Sequence, residues 1–192
     1  VVADLSAGAD LDTLLDRIDV NWSEQDALIH AAATDEGVGP AWELPVHAWQ
    51  ENLSVNLLAA AALVRRVASG MIDRRSGVVL AVISRAARVP LRGLAPYCVS
   101  KAALGHYVVC LADELAPYGV RANALGVSFH GGIFNKHRVR KAASGYYRDR
   151  APSDPPPKPV ESNLAPFLFL TSDAGRHVTG QCIECCSPFE LR

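Results

Sequence analysis

Ser84, Tyr97 and Lys101 are the residues of this chain whose types and spacing could do chemistry. Tyr97 and Lys101 stand four apart at the head of a helical pattern in which Leu104, Val108, Leu111 and Leu115 recur at steps of three and four. Side chains four apart on a helix share one face. An ammonium fixed near a phenol favours the phenolate and draws the tyrosine pKa toward neutrality. That makes Tyr97 a candidate general acid and base. Ser84 closes the apolar run Val78–Ile83, which reads as a buried parallel strand. A hydroxyl at the carboxyl end of such a strand lies where open α/β sheets keep their ligands. A Tyr-x-x-x-Lys pair alone is as readily a solvated helix face. This one follows a strand-end serine and opens a long amphipathic helix.

The remaining elements must position those groups. Val1–Leu5 reads as the tail of a strand with Asp4 at its end, and Asp10 as the cap of a helix carrying Leu11, Leu14, Leu15 and Ile18. Ala27–Ala32 reads as the next strand, followed by a loop with Gly37, Gly39 and Pro40. A long helix runs from Pro45 to Met71, with Leu53, Leu57, Ala60, Val64, Val67 and Met71 on one stripe. Ser76-Gly77 turns into the Ser84 strand, and Val120–Val127 is a further strand. Residues 128–158 look irregular, with Gly131-Gly132 and the prolines Pro152, Pro155, Pro156, Pro157 and Pro159. A short helix ends near Ser172, its start kinked or delayed by Pro166, and Gln181–Cys186 is the last strand. Strands alternating with helices predict one α/β domain on a parallel sheet.

The chain has 192 residues, 49% of them hydrophobic, and a net charge of −1. That suits one globular domain and gives no global nucleic-acid footprint. The longest apolar run, Leu57–Val64, is too short to span a bilayer. Five cysteines without framework spacing point to a reducing, cytoplasmic setting. Cys182 and Cys185 have Cys-x-x-Cys spacing, but on a strand these positions face opposite sides, so buried small hydrophobes are expected rather than a metal site. The basic stretch Lys136, Arg138, Arg140, Lys141, Arg148 and Arg150 reads as a solvated segment before it reads as a phosphate contact. His130 and His137 in that segment could touch substrate.

Taken together with Asn56 in Val55-Asn56-Leu57, Ser100-Lys101-Ala102-Ala103-Leu104, Gly119-Val120-Arg121-Ala122-Asn123-Ala124 and Val178-Thr179-Gly180-Gln181, the Ser84, Tyr97 and Lys101 set resembles the short-chain dehydrogenase/reductase family. The likeness runs from about Asp4 to Gln181. It implies a Rossmann-like, doubly wound parallel sheet and a ketoreductase or alcohol dehydrogenase using NADP or NAD on a small carbonyl or alcohol substrate, free or bound as a thioester. By this resemblance Tyr97 moves the proton, Lys101 bonds the nicotinamide ribose, Ser84 holds the substrate oxygen, and the Asn56 backbone anchors a water joining Lys101 to solvent. Asp4 would meet the adenine, Ala31 and Ala32 would line the cofactor, and Arg85, Ser128 and His130 would face the substrate. The two long helices would pair across a two-fold axis into a homodimer or homotetramer.

The sequence also departs from the family pattern. The glycine-rich strand-turn-helix that receives the pyrophosphate has no counterpart in these residues, and the N-terminal strands of the family order 3-2-1-4-5-6-7 are absent. A sheet lacking them would expose an apolar edge at Ala27–Ala32, which favours a longer protein over a shortened, repurposed relative. His30-Ala31-Ala32-Ala33 stands for the usual Asn-Asn-Ala-Gly, and His30 is expected to bond backbone at the strand end. Gly126-Val127-Ser128 replaces a small residue and Pro-Gly, which alters the backbone beside the nicotinamide. Two other readings therefore stay open. One is a cofactor-free dehydratase, isomerase or cyclase reusing the same Tyr-Lys-Ser set. The other is a silent binding subunit, which has no need of the buried lysine.

Overall fold

The apolar run Gly77–Ile83 becomes the strand on which the others are laid (β2). It pairs in parallel with β1 (Ala27–His30) on one side and β3 (Val120–Gly126) on the other. A short β4 (Cys182–Glu184) pairs in parallel with β3, giving the order β1-β2-β3-β4. The computed structural model describes residues 3–6, 8–21, 25–127 and 160–185. Ser128, His130, His137, the basic stretch, the proline cluster and Cys186 lie outside these residues.

Alternation along β2 assigns its side chains to two faces. Val79, Ala81 and Ile83 enter a core with Leu63, Val64, Val67 and Met71 of α3 (Ala59–Arg74) and Leu104, Val108 and Leu111 of α4 (Ala95–Leu115). Leu80 points the other way and packs with Leu125 and with Leu170 of α5 (Leu164–Thr171). Between α4 and β3 the chain reverses at Gly119, with φ +73°. A Cβ there would stand 2.7 Å from the Arg75 carbonyl oxygen, so glycine is required twice over.

The long helix is continuous from Val46 to Arg74 but not uniform. α2 (Val46–Leu53) passes through a π turn, Ser54–Leu58, into α3, and the Ala59 N–H bonds to the Ser54 carbonyl five residues back. A π turn carries one residue more than an α turn and rotates all that follows. The stripe expected from Leu53 and Leu57 is thereby displaced. Asn52, Val55 and Asn56 are the buried residues instead, while Leu53 and Leu57 are half-buried. By length and composition this 29-residue helix could cross a bilayer, but its apolar side is the one packed on the sheet.

Several boundaries move. Ala3–Ser6, expected to end a strand, form a turn: the Asp4 carboxylate accepts from the Ser6 N–H at 2.9 Å and the Ser6 hydroxyl at 2.7 Å. Such local bonding competes with strand pairing. Asp10 lies within the first turn of α1 (Gly8–Asn21) and accepts from the Asp4 N–H, rather than capping the helix as N-cap. β1 ends at His30, so Ala31 and Ala32 leave the sheet. Pro166 sits in the first turn of α5, behind a 3-10 turn at Val160–Asn163, where its missing N–H is harmless. Cys182 packs on the α3/α4 side and Cys185 on the α5 side, opposite faces as expected, and no metal-binding cluster occurs among the described residues. Of the apolar residues thought to serve assembly, Leu63, Val64, Val108 and Leu111 are buried within the chain, while Leu58 and Val109 remain exposed.

Candidate active site

Ser84 ends β2 and caps a 3-10 turn, Arg85–Ala87, by accepting the Ala86 N–H at 3.2 Å. The cap leaves the hydroxyl proton free to donate, and it donates to the Tyr97 phenol. Tyr97 lies in the first turn of α4, whose start is set by Pro96 near the helix N-terminus. One turn on, Lys101 is 2% exposed and its Nζ donates to the Val82 carbonyl at 2.8 Å. Serine, tyrosine and lysine thus converge at the carboxyl end of β2, as their spacing predicted.

Asn56 fixes this arrangement from the π turn. Its Oδ1 accepts the Thr34 N–H at 2.8 Å while its Nδ2 donates to the Thr34 carbonyl at 2.9 Å. Nδ2 also donates to Ser100 Oγ at 2.8 Å, and Ser100 Oγ donates to the Tyr97 carbonyl at 2.8 Å. A buried side chain therefore ties the loop after β1 to the first turn of α4. One turn earlier, Asn52 Nδ2 donates to the Glu36 and Ala48 carbonyls at 2.9 and 2.8 Å. Sequence reasoning missed Asn52, Ser100 and Thr34. The available signal was a pair of asparagines four apart on a long amphipathic helix.

The electrostatics differ from expectation at one point. Burial pushes the Tyr97 phenol above its ordinary range, the Ser84 hydroxyl pulls it back in part, and the Asp35 and Cys98 charges push it further up. The lysine does not depress it. Burial instead lowers Lys101 itself to about 8, and its ammonium is engaged with the Val82 carbonyl. Desolvation outweighs the attraction that helical spacing alone suggested.

The other expected site residues are spread out. Ala31 is exposed and Ala32 half-buried beyond the end of β1, and Arg85 is half-buried beside Ser84. Asp4 lies in an exposed turn, remote in sequence from this cluster and bonded to its own neighbours. The residues at the carboxyl ends of β1 and β2 are of types that suit the ribose end of a dinucleotide. A buried ammonium with three donors spends one on Val82, and only the small side chains of Ala31–Ala33 follow β1.

Known proteins carry the same construction. A sequence profile described as short chain dehydrogenase matches residues 1–135. The chain is 30% identical to the vibriobactin-specific 2,3-dihydro-2,3-dihydroxybenzoate dehydrogenase of Vibrio cholerae, over 82% of this chain and 64% of that protein. It is 40% identical to dehydrogenase/reductase SDR family member 4 of Bos taurus, over 82% of this chain and 57% of that one. It thus spans less than two thirds of the length of these relatives. A crystal structure of a putative NAD(P)-dependent gluconate 5-dehydrogenase from Beutenbergia cavernae, with bound NADP, superposes with a TM-score of 0.84 at 28% identity. That match covers 100% of this chain and 76% of the other. With the profile matching residues 1–135 and the parallel sheet superposing on such a structure, this chain belongs to the short-chain dehydrogenase family.

Proposed function

We propose that this chain carries the catalytic side of an NAD(P)-dependent ketoreductase or alcohol dehydrogenase. The observation that carries the reading is the Ser84–Tyr97 hydrogen bond beside a buried Lys101, braced by Asn56 through Ser100. A carbonyl oxygen lodged between the Ser84 hydroxyl and the Tyr97 phenol is polarised by one and protonated by the other. The nicotinamide, when bound, supplies the hydride. Lys101 offers its remaining N–H donors to the ribose and keeps positive charge near the oxygen that takes the proton. Burial raises the Tyr97 phenol above its ordinary range, so it is neutral at neutral pH and able to give a proton to the carbonyl oxygen.

The names of the Vibrio cholerae and Beutenbergia cavernae proteins specify 2,3-dihydro-2,3-dihydroxybenzoate and gluconate, so these two hydroxy acids are the first probes. Leu58, Val99 and Val109 leave apolar surface on the long helix and on α4, which supports a homodimer or homotetramer joined along them. A monomer by light scattering at micromolar concentration would remove that part.

The deciding experiment is calorimetric titration of the full-length protein with NADH and NADPH, followed by turnover of the parent and Tyr97→Phe. Micromolar binding and a loss of about 10²–10⁴ in kcat fit general acid/base work by Tyr97. Turnover that needs no nucleotide yet is lost in Tyr97→Phe would replace the reductase by a cofactor-free dehydratase, isomerase or cyclase. Activity of Tyr97→Phe within a few-fold of the parent would remove Tyr97 from the mechanism.

A further inference from the structure

The turn that follows Ser84 is fastened at its far end as well as at its start. At the start, Ser84 Oγ accepts the Ala86 N–H at 3.2 Å and the Ser84 carbonyl accepts the Ala87 N–H at 2.9 Å. At the far end, Arg88 reaches to β4. Its Nη2 donates to the Cys182 carbonyl at 3.3 Å, a residue 94 positions away in the chain. Its Nε stands 3.4 Å from Glu184 Oε1 in an ion pair.

The sheet places both acceptors. Ile83, Gly126 and Glu184 form one row across the carboxyl ends of β2, β3 and β4, and Ser84 follows Ile83 directly. A Cβ on Gly126 would lie 3.1 Å from Glu184 Cγ, so the glutamate occupies room that only a glycine leaves over β3. Its side chain is 15% exposed against 61% for Arg88. A carboxylate so sheltered loses more with its countercharge than a surface pair would. The backbones of Gln181 and Cys185 bond to β3, so by alternation the Cys182 carbonyl faces the open side of β4. No strand follows β4 there among the described residues. A guanidinium fork serves a carbonyl and a carboxylate together, which the point charge of a lysine does not.

We propose that Arg88 is a positioning residue for Ser84: bound to Glu184 and the Cys182 carbonyl, it holds the far end of the turn whose cap aims the Ser84 hydroxyl. Ser84 Oγ accepts from Ala86 and donates to Tyr97, so the place of the Ala86 N–H decides where the hydroxyl proton points. If the turn swings away from β4, that cap is lost and the hydroxyl no longer addresses the phenol. The effect on rate rests on the reductase reading, in which Ser84 polarises the carbonyl that Tyr97 protonates. Arg88 itself touches neither group and acts through the Arg85–Ala87 turn.

Two measurements test this in the full-length protein. The first follows amide hydrogen exchange by NMR, without nucleotide or substrate. In Arg88→Met the Ala86 amide should exchange about tenfold faster, while the amides of Val79–Val82 in β2 keep the parent rate. An Ala86 amide that exchanges as in the parent overturns the proposal. So does one that speeds up only together with β2, since the loss is then one of general stability. The second measures turnover with NADPH and diacetyl, a small diketone. Arg88→Met should lower kcat about tenfold with the KM for NADPH unchanged, the signature of a misplaced group rather than lost cofactor binding. Arg88→Lys should recover part of the rate, and Glu184→Gln, which keeps the Cys182 bond, should lose only a few-fold. A loss confined to the KM for NADPH overturns the proposal. If Tyr97→Phe is dead while Arg88→Met keeps the parent kcat, the reductase reading stands and the role of Arg88 falls. If the parent neither binds nor oxidises either nucleotide, the reductase reading falls, and exchange at Ala86 alone decides whether Arg88 holds the Ser84 turn. Should Arg88→Met fail to fold, Arg88→Lys and Glu184→Gln still decide through the same amide.

Discussion

The two faces of the sheet are built to different standards. The face bearing Val79, Ala81 and Ile83 is roofed by α3 and α4, and Leu104 and Val108 there are wholly buried. Among the described residues, the face bearing Leu80 and Leu125 is covered by Leu170 of α5, which leaves Leu164, Leu168 and Phe169 exposed beside it. The site belongs to the first face, because Lys101 and Asn56 project from the helices that roof it. A lysine 2% exposed, with one carbonyl as its bonded partner among the described residues, is expensive to bury. Only a roof packed to crystal-like density can hold such a group in one place. The thinner face bears no such group and can yield.

The contrast can be tested by emptying equal volumes on the two sides. Leu104→Ala should cost toward the upper end of about 2–5 kcal/mol, because its cavity is enclosed by the helices and the sheet. Leu170→Ala should fall toward the lower end of that range, since a thin layer collapses more readily. Denaturant titration of both variants checks this, and equal losses would show that the faces do not differ in rigidity.

A second test uses acid. His30, on the well-packed side, is held to about 4, below its ordinary value of 6.5. The unfolded chain therefore takes up a proton between those values that the folded chain refuses, so stability is present above pH 6.5 and is lost as pH falls toward 4. At about 1.4 kcal/mol per pKa unit, the loss is on the order of 3 kcal/mol. The difference between the parent and His30→Gln in stability against pH should show it over that window. A difference that stays flat would place His30 in contact with water.

The smallest effect is expected at the sheet edge. Ile29 is 47% exposed on β1. Ile29→Thr keeps a β-branched strand former and should change stability by no more than about 0.5 kcal/mol. Lower aggregation in the variant would sharpen the view of β1 as a sticky edge. A large loss of stability would mean that Ile29 is covered in the working protein.

The sequence was most legible where a local period or an element end carried the signal. Val78–Ile83 read as a buried strand because unbroken β-branched and aliphatic residues suit a sheet covered on both faces. The α4 pattern and the opposed facing of Cys182 and Cys185 followed from helix and strand periods in the same way. Val1–Leu5 misled because an apolar start followed by Asp looks like a strand end, whereas Asp4 and Ser6 satisfy each other in a turn. The long helix misled over one turn, since a single inserted residue at Ser54–Leu58 leaves no mark in a pattern of leucines and alanines.

By itself, then, the sequence determined the element types, their alternation into a parallel sheet, the family, and the grouping of Ser84, Tyr97, Lys101 and Asn56. The elements depend on neighbours two, three or four residues apart, and such spacings are written in the chain, while the grouping with Asn56 came from the family resemblance. The tertiary structure decided what the groups are worth to one another. Asn56 reaches Ser100 and Thr34, and Lys101 reaches Val82, across separations of 44, 22 and 19 residues that no local pattern encodes. Whether Tyr97 and His30 sit above or below their ordinary pKa depends on how much water these contacts exclude. Desolvation is a property of the packed whole, and it raises the phenol and lowers the imidazole.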